Sequence, residues 1–285
     1  MATGAFMEQW KVWTAEDARK FVSVPSENDD KYSRGVLGVI AGSEQYPGAA
    51  VMVCEAAMRT GVGMVRYLGP TKASDLVLTH RPEVVTEDGQ VQAWAIGSGL
   101  DAGQIGLQRR LMIQTKLGQA LPAVLDAGGL SFLHEVSGPI LITPHYRELA
   151  TLLGSSGVNV TQAEVREDPK KWARFAADSL HVTVLLKGNR SYVVSKTCEI
   201  ALPSASPWLA TAGTGDVLAG ILGALLAAHS RQICEQPEFA PAIAATGSLI
   251  HALAAESASN GGPITAMGVA HAIPKVISDL LHKGL

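Results

Sequence analysis

Short runs of β-branched and aliphatic residues recur along the chain at 36–40, 64–68, 93–96, 123–125, 140–142, 182–186 and 192–194. Most lack polar alternation, the pattern of strands buried on both faces. Between them lie stretches of helical character at 49–60, 105–116, 146–153 and 163–177. Strand, helix, strand in that order predicts right-handed crossovers, and so an α/β fold with a mostly parallel central sheet. The pattern then changes. Residues 182–202 read as two or three strands joined by short turns, Gly188-Asn189-Arg190 being one, which predicts an antiparallel edge. Three helices are expected to close the chain, at 216–229, at 241–257 with Pro241 near its start, and at 266–281.

Residues 1–30 are polar and are expected to form a partly mobile N-terminal segment, with residues 31–285 as one domain. No linker, repeat or low-complexity stretch divides that domain. The hydrophobic fraction of 47% and the 29 glycines fit a buried sheet with many tight turns. A net charge of −3 without a lysine or arginine block argues against a nucleic-acid partner. Cys54, Cys198 and Cys234 are widely spaced and lack a CxxC pair, which argues against a disulfide framework or a zinc site. The apolar runs 217–228 and 240–255 are shorter than a membrane span and read as buried helices, so no membrane partner is expected. The start of the chain has no signal-peptide pattern, and a cytoplasmic location is the default expectation.

The most informative junction is Ala210-Thr211-Ala212-Gly213-Thr214-Gly215-Asp216, which runs directly into an apolar helix. A Gly-Thr-Gly turn at a helix start leaves N–H groups free to converge where the helix dipole is positive, a setting that suits phosphate. Asp216 in the first turn reads either as a helix-start residue or as a general base beside that cradle.

In open α/β sheets ligands bind beyond the carboxyl ends of strands. Gly42-Ser43, then Tyr46 to Ala50, admits close approach of a ligand or is an ordinary loop. Gly97-Ser98-Gly99 is read first as a turn. Asp126 either caps the next helix, the preferred reading, or holds a metal or water near phosphate. His145 is a turn residue or a ligand contact. Glu148 is not explained as a capping-box partner of Thr143, since the spacing is two residues too long, and a magnesium-bridging role is open to it. Lys187 either snorkels to solvent or supplies positive charge to a phosphate. His251, inside an apolar stretch, is set aside as a core histidine. No Walker sequence or dinucleotide fingerprint is present.

In their order, Gly42-Ser43 with Pro47-Gly48-Ala49, Gly97-Ser98-Gly99-Leu100, Asp126-Ala127-Gly128, Thr143-Pro144-His145 with Glu148, Lys187-Gly188 and the 210–216 run resemble the ADP/ATP-dependent NAD(P)H-hydrate dehydratases. The resemblance spans about residues 31–280. It implies a three-layer ribokinase-like fold and repair of hydrated NADH or NADPH: ADP or ATP phosphorylates the added hydroxyl, and phosphate then leaves. By the same resemblance Asp216 is the base, Gly213, Thr214 and Gly215 form an anion hole, and Lys187, Gly188, Asn189, Arg190, Ser191 and Gly215 hold the AMP part. Ala49, Ala50, Gly99, His145 and Asp216 contact the hydrated dinucleotide, and Mg²⁺ bridges phosphates with Glu148 and Asp126 as indirect holders. Departures include Tyr146-Arg147 in place of a common Pro-Gly, Ser98 in place of a frequent proline, and Ala212 in place of a frequent glycine.

Two other functions compete, a ribokinase-like kinase of a small hydroxymethyl compound and a non-enzymatic nucleotide sensor. The absence of a targeting peptide and of a fused epimerase domain favours ADP as donor. The apolar closing helices suggest a homo-oligomer.

Overall fold

The computed structural model of the chain describes residues 10–101 and 103–282. Its strands are β1 (Lys11–Val12), β2 (Val36–Ile40), β3 (Met64–Tyr67), β4 (Ala93–Ile96), β5 (Ala123–Leu125), β6 (Ile140–Ile142), β7 (Thr183–Leu186), β8 (Arg190–Ser195) and β9 (Cys198–Ser204). They form one sheet in the order β1-β9-β8-β7-β6-β5-β4-β2-β3. From β3 across to β7 every pairing is parallel. β8 runs antiparallel to both β7 and β9, which is the expected antiparallel edge.

Period-2 geometry explains why these strands carry little polar alternation. Along β2, Leu37 and Val39 enter the core on one face, while Val36 and Ile40 enter the core on the other. The first face is covered by α2 (Pro47–Thr60), α8 (Thr214–Ala228), α10 (Phe239–Ser259) and α11 (Ala266–His282); the second by α4 (Leu107–Leu117), α5 (Tyr146–Ser155), α6 (Gln162–Glu167) and α7 (Pro169–Leu180). Helix, sheet and helix are the three layers expected.

The helix expected at 163–177 is two helices. Asp168 ends α6 and caps α7 by accepting from the Lys171 amide at 3.2 Å, with Pro169 at the first helical position. Proline removes an amide and clashes with the preceding turn, so the axis must restart there. The chain also forms α1 (Ala15–Arg19), α3 (Thr71–His80) and α9 (Ser230–Glu235), which the periodicity did not announce.

Within the segment 1–30, residues 1–9 lie outside the described residues. The rest is tied to the sheet. β1 pairs with β9, Trp13 is 4% exposed, and Thr14 and Asp17 form a capping box at the start of α1.

Helix α10 has 21 residues and is long and apolar enough, by length and composition, to cross a membrane, unlike the shorter run read from the sequence. Here it packs into the core, with Ile243, Ala244, Ala245, Ile250 and Ala254 wholly buried. α11 likewise buries Val269, Ala270 and Ile273 within the same chain.

The parallel register brings the carboxyl ends of β4, β5, β6 and β7 to one rim. β2 is flanked by β3 on one side and β4 on the other, so the chain reverses direction across the sheet beside it, and a crevice of about 300 Å³ lined by Ser43, Leu100 and Arg109 lies past the ends of β2 and β4. Gly97, at the end of β4, has φ +126°, and a Cβ on it would lie 1.8 Å from the Asp126 carbonyl oxygen. A Gly97→Ala chain is therefore expected to lose about 3 kcal/mol or more of stability, read by urea unfolding; an unchanged midpoint would show that the rim relaxes freely.

Candidate active site

β5, β6 and β7 each deliver a polar residue to this rim immediately after their last buried aliphatic, and β4 delivers Ser98 one residue later, after Gly97. β5 ends in Asp126, only 4% exposed, and its carboxylate is held by three donors. Ser98 Oγ donates at 3.1 Å, Thr143 Oγ1 at 2.8 Å and Lys187 Nζ at 2.6 Å. The preferred reading of Asp126 as a helix cap does not hold. It makes no side-chain cap bond, and the segment after it, Ala127–Glu135, is 3₁₀. A buried carboxylate needs a cation and hydrogen bonds more than a short helix needs a cap.

Lys187 does not snorkel. Its ammonium lies between Asp126 and Glu148, 3.9 Å from Glu148 Oε2. Burial works against the charged form, but Asp126, Glu148 and Asp216 outweigh it and hold the pKa above the ordinary lysine value. The ammonium is thereby fixed at the rim by carboxylates from two neighbouring strand ends.

Glu148 is a capping-box partner after all, with His145 rather than Thr143 as the cap. The His145 ring accepts from the Glu148 amide at 3.1 Å, and Glu148 Oε2 accepts from the His145 amide at 2.8 Å. The next residue, Tyr146, stands against the nucleotide segment expected from the sequence: a Cβ on Gly188 would lie 2.1 Å from its phenol oxygen. A side chain at 188 would therefore require the tyrosine that departs from the family pattern to move aside.

At the mouth of α8, Gly213 has φ +90° and turns the chain into the helix. A side chain there would be strained. The Thr214 hydroxyl donates to the Leu209 and Thr211 carbonyls at 2.8 and 2.9 Å, and the Thr214 amide reaches Thr211 O at 3.3 Å. Thr214 therefore braces the turn. The first-turn amides of Gly215 and Asp216 are left to face a ligand, with the dipole behind them. Lys187 closes on the same spot, its Nζ 3.8 Å from where a Gly215 Cβ would stand.

Asp216 is not a simple cap. Burial and the neighbouring Asp126 charge push its pKa up to about 6, against a Ser98 hydrogen bond and the Lys187 charge. Asp126 and Asp216 thus face the same lysine cation at the rim, and the carboxyl of Asp216 is the one held well above its ordinary range.

A cavity of about 630 Å³ opens beside this cluster. Lys187, Gly188, Asn189, Ser191, Thr214, Gly215 and His145 line it, with Leu202, Pro203, Leu209 and Leu218 as apolar wall. Arg190 is exposed at the start of β8 and is not part of the lining. Asp216 lies off the wall, on the β4 side. Ala49, Ala50 and Gly99 pack together past the ends of β2 and β4. A Cβ on Gly99 would lie 2.5 Å from the Ala49 Cβ, and Ala50 is wholly buried beneath Gly42.

Sequence reasoning missed Ser98 and Thr143 as members of the carboxylate network, although each directly follows a buried strand or its turn glycine. It also set aside His251, which lines the cavity. No cluster of three His, Cys, Asp or Glu side chains able to hold a metal directly occurs among the described residues.

A mostly parallel sheet with an antiparallel edge, a helix mouth with free amides and a lysine paired with carboxylates define an α/β protein with a candidate anion site at the strand ends. The fold matches solved structures: the ADP/ATP-dependent NAD(P)H-hydrate dehydratase of Bacillus subtilis, co-crystallised with ATP and Mg²⁺, has a TM-score of 0.81 at 23% identity over 96% of this chain and 99% of that one. A ribokinase-like superfamily protein from Enterococcus faecalis also gives 0.81, at 19% identity, over 98% and 99%. The family model described as NAD(P)H-hydrate dehydratase matches residues 37–277, and the chain belongs to that family. Among relatives, the bifunctional NAD(P)H-hydrate repair enzyme Nnr of Mycobacterium tuberculosis is 42% identical over 217 residues, 72% of this chain and 43% of that protein. The ADP-dependent (S)-NAD(P)H-hydrate dehydratase of Neisseria meningitidis is 33% identical, over 71% of this chain and 72% of that protein. The chain thus spans under half the length of the bifunctional relatives.

Proposed function

We propose that the chain dehydrates hydrated NADH or NADPH at the expense of ADP or ATP, with Asp216 as the base. The observation that carries this is Asp216 itself, an acid with its pKa raised to about 6, in the first turn of α8 beside Ser98 and Lys187, where its neighbours Thr214 and Gly215 line the nucleotide-sized cavity. The nucleotide would lie in the cavity against Lys187, Gly188, Asn189 and Ser191, with its terminal phosphate at the α8 mouth. The hydrated nicotinamide would enter from the crevice.

Asp216 takes the proton from the added hydroxyl as its oxygen forms a bond to the terminal phosphorus and the bridging P–O bond breaks. The amides of Gly215 and Asp216 and the Lys187 ammonium stabilise the charge on the moving phosphoryl group, the larger part of catalysis in such transfers. The carbon–oxygen bond then breaks with phosphate as leaving group. Loss of a proton from the adjacent ring carbon restores the double bond, giving NAD(P)H, phosphate, and AMP from ADP or ADP from ATP.

Magnesium fits this site only at one remove. Lys187 fills the gap between Asp126 and Glu148, so these carboxylates suit a hold through water, as Mg²⁺ with its retained waters permits. When bound to the phosphates it would neutralise part of their charge.

Incubation with ADP and hydrated NADH tests the reading: return of nicotinamide absorbance supports repair, and a stable phosphorylated product would make the chain a kinase instead. Because the base works only when ionised, kcat/KM is expected to rise as pH increases through about 6 and to level above it. A profile flat from pH 5 to 7 would remove Asp216 from the role.

A further inference from the structure

Arg109 is a half-buried cation with no carboxylate at ion-pair distance among the described residues, although such charges elsewhere in the chain are compensated. Arg81 pairs with Glu55, Lys116 with Asp88 and Lys187 with Asp126. From the first turn of α4, the Arg109 guanidinium reaches the end of β2, where Nη2 donates to the Ala41 and Gly42 carbonyls at 3.2 and 2.8 Å. Nε is enclosed there without a partner. Nη1 is not enclosed and makes no hydrogen bond among the described residues, so it has bonding capacity to spare. Burial pulls the Arg109 pKa below the ordinary arginine value, and Tyr67 and Glu44 offset only part of that. Arg34 and Arg66 also rest on carbonyls, but Arg34 fronts a space of only about 60 Å³ and Arg66 has the Asp88 charge beside it.

Arg109 lines the crevice of about 300 Å³ past the ends of β2 and β4, a volume at the lower end for ligand clefts. Ser43, Gln45 and Gln104 add neutral hydrogen-bonding groups to its wall. The Ser43 hydroxyl accepts from the Tyr46 amide at 3.0 Å, which leaves its own proton to donate. Of the two acids in the wall, Asp101 is engaged by the Gly103 amide at 3.0 Å and Glu44 is exposed. Lys72, donating to the Glu44 carbonyl at 3.1 Å, brings a second ammonium to that loop. The crevice also adjoins the reacting end of the site. Ser43 and Leu100 in its wall directly follow Gly42 and Gly99, and a Cβ on Gly99 would lie 3.2 Å from the Gly42 Cα. A dinucleotide whose nicotinamide passes Gly99 toward Asp216 leaves its phosphates further out.

We propose that this crevice is an anion subsite in which the Arg109 guanidinium pairs with a phosphate of the hydrated dinucleotide. This rests on the repair reading given above.

Steady-state kinetics with hydrated NADH, hydrated NADPH and the phosphate-free hydrated dihydronicotinamide riboside test it. Arg109→Gln is expected to raise KM for both dinucleotides about tenfold with kcat held, the mark of a binding contact away from the reacting atoms. A rise confined to hydrated NADPH would assign the 2′-phosphate rather than the diphosphate to the subsite. On the riboside, wild type and variant should match. A dinucleotide KM within twofold of wild type, or a loss equally large on the riboside, overturns the proposal; the second result would mean that Arg109 only braces the turn at Ala41 and Gly42. Should glutamine prevent folding, Glu44→Lys at the exposed wall decides: dinucleotide KM about threefold lower with the riboside unchanged supports the subsite, and an unmoved KM overturns it. A wild-type chain that turns over neither dinucleotide removes the repair reading. Fluorescence titration of NADPH then judges the subsite by itself: weaker binding by Arg109→Gln than by wild type keeps it, and equal or absent binding overturns it.

Discussion

Replacing Asp216 with asparagine is expected to lower turnover by about a thousandfold, within the range for loss of a positioned base, while leaving ADP affinity within a few-fold of wild type. Asparagine keeps the size of the side chain and the backbone amide that faces the phosphoryl group. What it removes is the proton acceptor. The same change should stabilise the ligand-free chain at neutral pH. Asp216 has a folded pKa of about 6, above its ordinary value of 3.8. The carboxyl therefore favours folding most fully below the unfolded pKa, and that contribution is lost as pH rises through 6. At pH 7 the charged form is a burden on the order of 2 kcal/mol, which asparagine does not carry. Turnover assays with hydrated NADH, ADP titration and urea unfolding at pH 5 and pH 7.5 separate the effects. Full turnover in a variant that still binds ADP would exclude Asp216 as base. A stability gain equal at both pH values would mean that its charge is not the cause.

This opposition of stability and chemistry also bears on how far the site was legible from residues alone. β2, β4, β5 and β6 were readable to the residue because both faces of each are buried, so nothing but apolar residues survives there. The polar successors of β5, β6 and β7, Asp126, Thr143 and Lys187, then had to meet, since parallel neighbours end level. Which partner each would choose was less visible. Asp126 was weighed as a cap because short-range capping is what local sequence displays; the three donors that hold it come from β4, β6 and β7, at long range. Glu148 was judged against Thr143 because histidine is not among the preferred cap residues, yet His145 takes that place. Pro169 did signal the break between α6 and α7, and the run of helix formers around it obscured the signal. For His251 no local pattern separates a histidine of the packed core from one in a cavity wall.

The second large effect is expected from Lys187→Met. Lys187 is the cation for Asp126, whose side chain is 5% exposed, and removing one member of a buried pair leaves the other charge uncompensated. The expected cost is about 3 kcal/mol, read by urea unfolding. ADP affinity should fall about a hundredfold, because the ammonium beside Gly215 is lost where phosphate charge gathers. A loss of both quantities alone would not distinguish a damaged fold from a missing ligand contact. The double variant Asp126→Asn with Lys187→Met does. Asparagine keeps hydrogen bonds with Ser98 and Thr143 but brings no charge, so stability should recover most of the loss while ADP binding stays weak. Recovery of both would mean that Lys187 serves Asp126 and not the nucleotide. The residual pH profile gives an independent reading of the single variant: without the Lys187 charge, which now works against burial and Asp126, the Asp216 pKa should climb further and the activity limb should move to higher pH. A limb that stays at about 6 would show that Lys187 does not set the proton affinity of the base.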